Sequence, residues 1–349
     1  MTRVVGMDPG TVSIDACGMA DGRLYLDRSW PTEEALAHPD GFIEFLTQSG
    51  LPDLIAGPSG YGLPLLRAAE ATEADLRLAF LAAPDEPGGI AGLRSLAKQL
   101  GASGLPVVYS PGVVHLDTVP AHRKINRVDL GTADKLCAAV LGIYDQSQRL
   151  RCRPNEVSFI LIELGGAFTA AVAVERGQIV DGIGGTSGPI GWRAAGALDG
   201  EVAFLAGSIS KAALFQGGVR SLIQRDPTKT ATAMEAYLEG AAKAARQLRC
   251  SAPSAREILL SGRNAAEPEV QDRLTADLAD LGPVRVLTGF AVHAKQGAQG
   301  AALLADGLTG GRHAELVNRL RIREAKGTVL DHLVFIPPEV ARQRLGLQK

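Results

Sequence analysis

The sequence predicts an α/β protein made of two copies of one hairpin-led unit, with a ligand cleft between them. Three observations lead there. The chain opens on three short apolar runs joined by turn residues, and then alternates helical and strand patterns. Near residue 157 the same order begins again. At 349 residues the chain is also long for one hydrophobic core, so two domains of roughly 150 residues are expected. Its hydrophobic fraction of 46% and charged fraction of 21% fit a folded chain.

Residues 3–8 (Arg-Val-Val-Gly-Met-Asp) read as a buried strand with a polar tip, followed by strands at 12–20 and 23–28. Pro9-Gly10 and Asp21-Gly22 mark the turns, and Asp-Gly between apolar runs is a strong hairpin signal. A helix near 40–49, a strand at 53–57, helices near 73–83 and 90–101, a strand at 105–109 and a helix at about 130–147 complete the first unit. The second unit repeats this with strands at 157–163, 167–175 and 178–181, the last two joined by Arg176-Gly177. An amphipathic stretch at about 230–250, a strand at 257–261, a helix at 267–280, a strand at 284–287 and a helix at 291–307 follow. The expected boundaries are 1–155 and 156–310, leaving 311–349 as a helix and a loose tail. This βββαβαβα order is ribonuclease-H-like. It is not the βαβ opening of a dinucleotide-binding fold, and no GxGxxG follows the first strand.

Composition excludes several classes of function. A net charge of −2 provides no basic field for wrapping nucleic acid. Asp8 interrupts the N-terminus before a signal-peptide apolar region forms, and no apolar stretch approaches the ~18 residues of a membrane span. Cys17, Cys137, Cys152 and Cys250 are scattered without a CxxC pair, which disfavours zinc or iron–sulfur ligation and fits free thiols in a reducing compartment. A cytoplasmic protein without membrane or nucleic-acid partners is expected. The 41 glycines cluster at strand ends and in pairs, as backbone-lined binding loops require.

Three such loops have the chemistry for a nucleotide. In Gly6-Met-Asp8-Pro-Gly10-Thr11-Val-Ser13, a tight hairpin carrying Gly10, Thr11 and Ser13 can aim backbone N–H groups at phosphate oxygens. Asp8 at the strand tip offers a hard oxygen ligand for Mg²⁺. An Asp-Pro-Gly turn is equally an ordinary hairpin connection. Glu163-Leu-Gly165-Gly166-Ala-Phe-Thr169 occupies the matching hairpin of the second unit, which places two phosphate-type turns at equivalent positions. The third loop, Ser261-Gly262-Arg263-Asn264, breaks an apolar strand where a flat adenine could approach the backbone.

The order of these loops resembles the phosphate-1, phosphate-2 and adenosine motifs of the acetate and sugar kinase, Hsp70 and actin superfamily. Within it the chain is most similar to butyrate kinase and to a butyrate-kinase-related family. Gly57-Pro-Ser-Gly60-Tyr-Gly62-Leu-Pro64, Leu164-Gly165-Gly166, Gly177-Gln-Ile-Val-Asp181 and Gly188-Pro-Ile-Gly-Trp-Arg193 carry that similarity, over roughly residues 3–310. The resemblance implies duplicated actin-like ATPase domains with an interdomain nucleotide cleft. It also implies ATP and Mg²⁺ as cofactors, a small-carboxylate acceptor and a homodimer. One departure stands out. Acetate and butyrate kinases carry a His where this chain has Glu163, and a carboxylate there repels phosphate unless it binds magnesium or stays out of the site.

Phosphoryl transfer is mostly positioning and charge neutralisation, so cations and an acceptor-orienting group are needed. Residues 114–129 form the densest polar run. By the resemblance, Asp117 matches in place the acidic residue near the acceptor in acyl kinases. Gly131-Thr132-Ala133-Asp134-Lys135 is similar to the Gly-Ala-Asp-Arg segment of type III pantothenate kinases. Candidate acceptor residues are therefore Gly60, Arg123, Asn126, Asp129, Asp134 and Lys135, with Asp8, Asp117, Glu163 and Arg193 as catalytic candidates. The plain alternative for the run is a solvated loop with Asp129 capping a helix. Arg193 follows the second phosphate hairpin and can clamp an anion bidentately. A carboxylate acceptor is already ionised at neutral pH and needs no general base. Two other readings stay open at this point. One is a hydroxyl acceptor, with Asp117 or Asp134 as base; the other is an ATP-driven switch or activator of a partner protein. The four cysteines do not match the cluster-ligating spacing of dehydratase activators.

Overall fold

The computed structural model describes residues 2–10, 12–48, 50–57, 60–84 and 92–347. Thr11 and the Pro58-Ser59 part of the Gly57–Pro64 turn lie outside the described residues.

The first sheet starts from an antiparallel meander of β1 (Arg3–Pro9), β2 (Ser13–Ala20) and β3 (Arg23–Pro31). Two parallel strands, β4 (Leu54–Gly57) and β6 (Val107–Tyr109), add to the β1 side, and a two-residue β5 (Leu66–Arg67) closes the edge. The strand order is β3-β2-β1-β4-β6-β5. In the second sheet β7 (Phe159–Leu164), β8 (Thr169–Glu175) and β9 (Gln178–Ile183) form the meander, and β10 (Ile258–Ser261) and β11 (Val284–Val286) run parallel to β7. Its order is β11-β10-β7-β8-β9. Read outward from each meander the two sheets coincide, so the duplicated α/β fold expected from the sequence is what the chain adopts. Only the short β5 lacks a counterpart and was not foreseen.

The central strands are apolar because both faces are covered. Phe159, Ile160, Leu161 and Ile162 of β7 are all fully buried. On the second sheet the amphipathic helix Thr230–Arg249 supplies Tyr237, Ala241, Ala245 and Leu248 to one core. Behind the first sheet, Phe42, Leu46, Leu96 and Leu100 pack on Val5, Ile14 and Ile55. A third core joins the two halves around the helices Ala133–Leu150 and Gln296–Leu308.

The helix expected to complete the second unit, Gln296–Leu308, packs instead on β1 and on the helix Ala133–Leu150. Small residues permit the approach. A Cβ on Gly6 would run into the backbone of Ala298, Ala301 and Ala302, and one on Gly300 into the carbonyl of Cys137. After residue 311 the expected helix is present at Ala314–Leu320, and the segment adds Leu316, Val317, Leu320, Ile322, Val329 and Leu330 to the joining core. Among the described residues, no helix is long and apolar enough to cross a membrane. All four cysteines are free thiols, with Cys17 and Cys137 buried.

Candidate functional site

The β1–β2 and β7–β8 hairpins close in the same way. The Gly10 amide donates to the Ser13 carbonyl at 2.8 Å, and the Gly165 amide donates to the Phe168 carbonyl at 3.0 Å. The two turns face each other, for a Cβ on Gly166 would lie 4.0 Å from Cγ2 of Val12. Between them is a cavity of about 560 Å³, within the range of small-molecule sites. Asp8, Gly10, Ser13, Gly60, Asp134, Lys135, Glu163, Gly165, Gly166, Gly262 and Arg263 all border it, so the sequence-predicted residues of five separate segments converge here.

The wall is charge-balanced and crowded. Its described residues include three carboxylates (Asp8, Asp134, Glu163) and three cations (Lys135, Arg263, Lys295). Asp8 is buried, at 7% exposure, and its carboxylate lies against Gly297 at the start of the helix Gln296–Leu308. Burial pushes its pKa up to about 7, against the pull of Lys295 and with help from Asp134 and Asp15. Lys295 reaches over the first hairpin to Asp15 Oδ2 at 3.0 Å and to the Ser13 carbonyl at 3.3 Å. Burial would lower this lysine, but Asp8 and Asp15 hold it above its ordinary value.

Lys135 sits at the other side of the same cluster. Its Nζ donates to Asp134 Oδ2 at 2.6 Å and lies 3.2 Å from Glu163 Oε2. Burial opposes its charge, yet Asp134 and Glu163 hold its pKa above the normal lysine value. The partners respond in opposite directions. Burial raises Glu163, which Lys135 only partly offsets. Burial would raise Asp134 too, but Lys135 and the Thr132 hydroxyl keep it low.

A smaller chamber of about 60 Å³ adjoins the main cavity, bordered by Tyr61, Asp129, Thr132, Lys135, Phe168, Thr186, Lys211 and Phe215. Its acid is engaged. Asp129 accepts bonds from the Gly131 amide at 3.1 Å, the Thr186 amide at 3.0 Å and the Thr186 hydroxyl at 2.9 Å. Lys211 Nζ stands 5.1 Å from the Tyr61 ring centroid, within cation–π range.

Other predicted residues fall outside the wall of either cavity. The Thr169 hydroxyl is buried and donates to the Ile190 carbonyl at 3.1 Å. Ser261 is buried beside Glu163 in the sheet register, with no hydrogen-bond partner for Oγ among the described residues. Asn264 donates to the Tyr237 hydroxyl at 3.0 Å. Arg193 donates from Nε to the Gly166 carbonyl at 3.1 Å and so buttresses the hairpin. Three candidates from the 114–129 run have partners away from both cavities. Asp117 pairs with Lys326 at 3.1 Å and Arg321 at 3.6 Å. Arg123 donates to the Val180 carbonyl at 2.7 Å, and Asn126 accepts from the amides of Val334 and Phe335 at 2.7 and 2.8 Å. These polar groups tie the run to β9 and to the C-terminal segment.

Sequence reasoning missed Lys295, Tyr61, Thr132, Phe168, Thr186, Lys211 and Phe215. Tyr61, Thr132 and Phe168 lie inside motifs quoted above, whereas Lys295, Thr186, Lys211 and Phe215 lie outside them. A divalent cation fits on limited terms. Among the described residues no group of three or more His, Cys, Asp or Glu is arranged to hold a metal. Asp8 is the buried carboxylate at the tip of β1, so an ion here would meet the protein at one carboxylate, as Mg²⁺ sites built on substrate phosphates do.

A sequence profile described as "Protein of unknown function (DUF1464)" matches residues 6–335, and the chain belongs to that family. No curated protein matches the sequence. Among solved structures, a propionate kinase from Francisella tularensis subsp. tularensis SCHU S4 superposes with a TM-score of 0.58 at 12% identity, covering 86% of this chain and 98% of that one. Acetate kinase from Porphyromonas gingivalis gives 0.57 at 12% identity with the same coverage. Acetate kinase from Entamoeba histolytica gives 0.55 at 10% identity, covering 80% and 87%. The chain therefore has the fold of the acetate and propionate kinases it superposes on.

Proposed function

Taking as premise a DUF1464 chain with an acetate-kinase-type fold, we propose that it is an ATP- and Mg²⁺-dependent phosphotransferase acting on a small carboxylate. One observation carries this reading: two glycine hairpins with matching closure face each other across a ligand-sized cavity that opens beside a second, smaller chamber. The hairpins Gly10–Ser13 and Gly165–Phe168 would hold the phosphates, and Gly262 and Arg263 would border the adenosine. Asp8 would hold magnesium, which supplies neutralisation of phosphate charge when bound. The smaller chamber is the acceptor's seat in this reading. Its described wall brings two lysines, Lys135 and Lys211, and three aromatic rings, while its one acid, Asp129, is already engaged by three donors. That chemistry favours an anion with a short apolar body over a hydroxyl that needs a base.

Calorimetric titration with Mg·ATP tests nucleotide binding. Turnover with acetate, propionate or butyrate in hydroxylamine tests the acceptor, since an acyl phosphate is trapped as a hydroxamate. Binding with hydroxamate formation supports the reading. ATP turnover that yields a stable phosphate monoester and no hydroxamate would replace it with a hydroxyl-directed kinase.

A further inference from the structure

Glu163 is the awkward residue of this site, because it places a carboxylate at the tip of β7, where the second phosphate hairpin begins. A Cβ on Gly165 would lie 2.9 Å from Glu163 Oε1, so the carboxylate is tucked directly beneath the turn. Left alone it would repel an incoming phosphate. It is not alone, since its Oε2 faces Lys135 Nζ at 3.2 Å, and the same ammonium is gripped from the other side by Asp134 at 2.6 Å. Lys135 is thus fixed between two carboxylates, Glu163 on β7 and Asp134 beside it in the helix Ala133–Leu150. It stands in the first turn of the helix Ala133–Leu150, whose N-terminal end adds positive potential.

Its position matters more than its pairing. Among the described residues Lys135 is the one cation that borders both chambers; Arg263 and Lys295 border only the larger, and Lys211 only the smaller. A group passing from a nucleotide in the larger chamber to an acceptor in the smaller would cross the wall that Lys135 shares with Tyr61, Thr132, Phe168 and Phe215. We propose that Lys135 is the cation that neutralises the phosphoryl group during transfer, and that Glu163 is a positioning residue that holds Lys135 at the junction. This rests on the phosphotransferase reading above. In the step, the phosphorus–oxygen bond to the β-phosphate breaks and its electron pair stays on the leaving ADP oxygen. An acceptor carboxylate oxygen forms the new bond to phosphorus, and no proton changes hands. Charge concentrates on the three phosphoryl oxygens at mid-transfer, where a preorganised cation is most effective.

The test separates ground-state from transfer-state binding without a known acceptor. Dissociation constants for Mg·ADP, and for Mg·ADP with fluoroaluminate as the probe of the transferring group, are measured in wild type, Lys135→Met and Glu163→Gln. Wild type should bind the fluoroaluminate complex far more tightly than Mg·ADP alone. Lys135→Met should keep Mg·ADP affinity within about threefold and lose on the order of 100-fold in fluoroaluminate affinity. Glu163→Gln keeps Asp134 as a partner for the lysine and so guards against a Lys135→Met chain that fails to fold. It should leave Mg·ADP affinity unchanged and weaken the fluoroaluminate complex about tenfold or more. A counter-ion with a structural role only would lower the melting temperature and leave fluoroaluminate affinity intact in both variants, which overturns the proposal. So does a wild type that binds Mg·ADP without any gain from fluoroaluminate. A wild type that binds no Mg·ADP at all overturns the nucleotide reading itself.

Discussion

Gly297→Ala isolates the magnesium role of Asp8 from the fold. Gly297 is the second residue of the helix Gln296–Leu308, and a methyl built on it would stand 2.5 Å from Asp8 Oδ2 and 2.8 Å from Cγ. An ordinary carbon–oxygen contact needs about 3.3 Å, so the carboxylate must move by about 0.8 Å. The short, buried Asp8 side chain has little room to do so. Two energetic terms oppose each other in the fold. Ala in a helix gains up to about 1 kcal/mol over Gly, while local overpacking costs about 1–3 kcal/mol. The net effect on melting temperature should stay within about 8 °C. The functional effect is larger, because a displacement near 1 Å in a positioned group costs on the order of 100-fold in turnover. Calorimetry with Mg·ATP and with ATP in chelator reads the difference directly. Gly297→Ala should lose most of the magnesium-dependent part of the affinity and little of the rest. Wild-type Mg·ATP affinity in a folded Gly297→Ala protein would show that Asp8 does not hold the metal.

Further outcomes follow from the same geometry. Asp8, pushed up to about 7 by burial, is protonated and unable to hold a cation at lower pH, so Mg·ATP affinity should rise up to tenfold per pH unit approaching 7 and level off above it. Its stability effect runs the other way: the protonated, buried form favours the fold. That contribution is present below the unfolded value of 3.8 and is lost as pH rises through about 7, which melting of the nucleotide-free protein between pH 6 and 8 will register. Asp129→Ala removes three hydrogen bonds, one within the 129–131 turn and two that join it to Thr186, and should cost about 3 kcal/mol in urea denaturation. Asp117→Asn breaks only partly exposed pairs with Lys326 and Arg321, so it should change stability by less than about 1 kcal/mol and leave turnover at the wild-type rate. A turnover loss of tenfold or more would return Asp117 to the site.

The legible part of this protein was the part encoded locally. The turns at Asp21-Gly22 and Arg176-Gly177 put Asp21 at φ 47° and Arg176 at φ 50°, where tight hairpin geometry is written into adjacent residues. The apolar runs on either side then fix both meanders, and with them the two phosphate-type hairpins. Lys295 was not legible, because nothing near it in sequence says that its Nζ reaches Ser13, 282 residues away. The same holds for the meeting of Lys135 with Glu163, and of Lys211 with the Tyr61 ring. The polar run 114–129 is ambiguous for a physical reason: Asp129 borders the smaller chamber, whereas Asp117, Arg123 and Asn126 bond elsewhere. Side chains that bind substrate and side chains that bind another stretch of backbone have the same composition, and Asn126 and Arg123 bind backbone. The C-terminal segment is ambiguous likewise, since Leu316, Leu320 and Ile322 are spaced among charged residues that mask an apolar face.

The most direct test of the central claim is a crystal structure with magnesium and a non-hydrolysable ATP analogue. Phosphates are expected between the Gly10–Ser13 and Gly165–Phe168 turns, with metal density beside Asp8 and adenine against Gly262 and Arg263. A nucleotide bound elsewhere, or a cavity that takes no nucleotide at millimolar concentration, would contradict it.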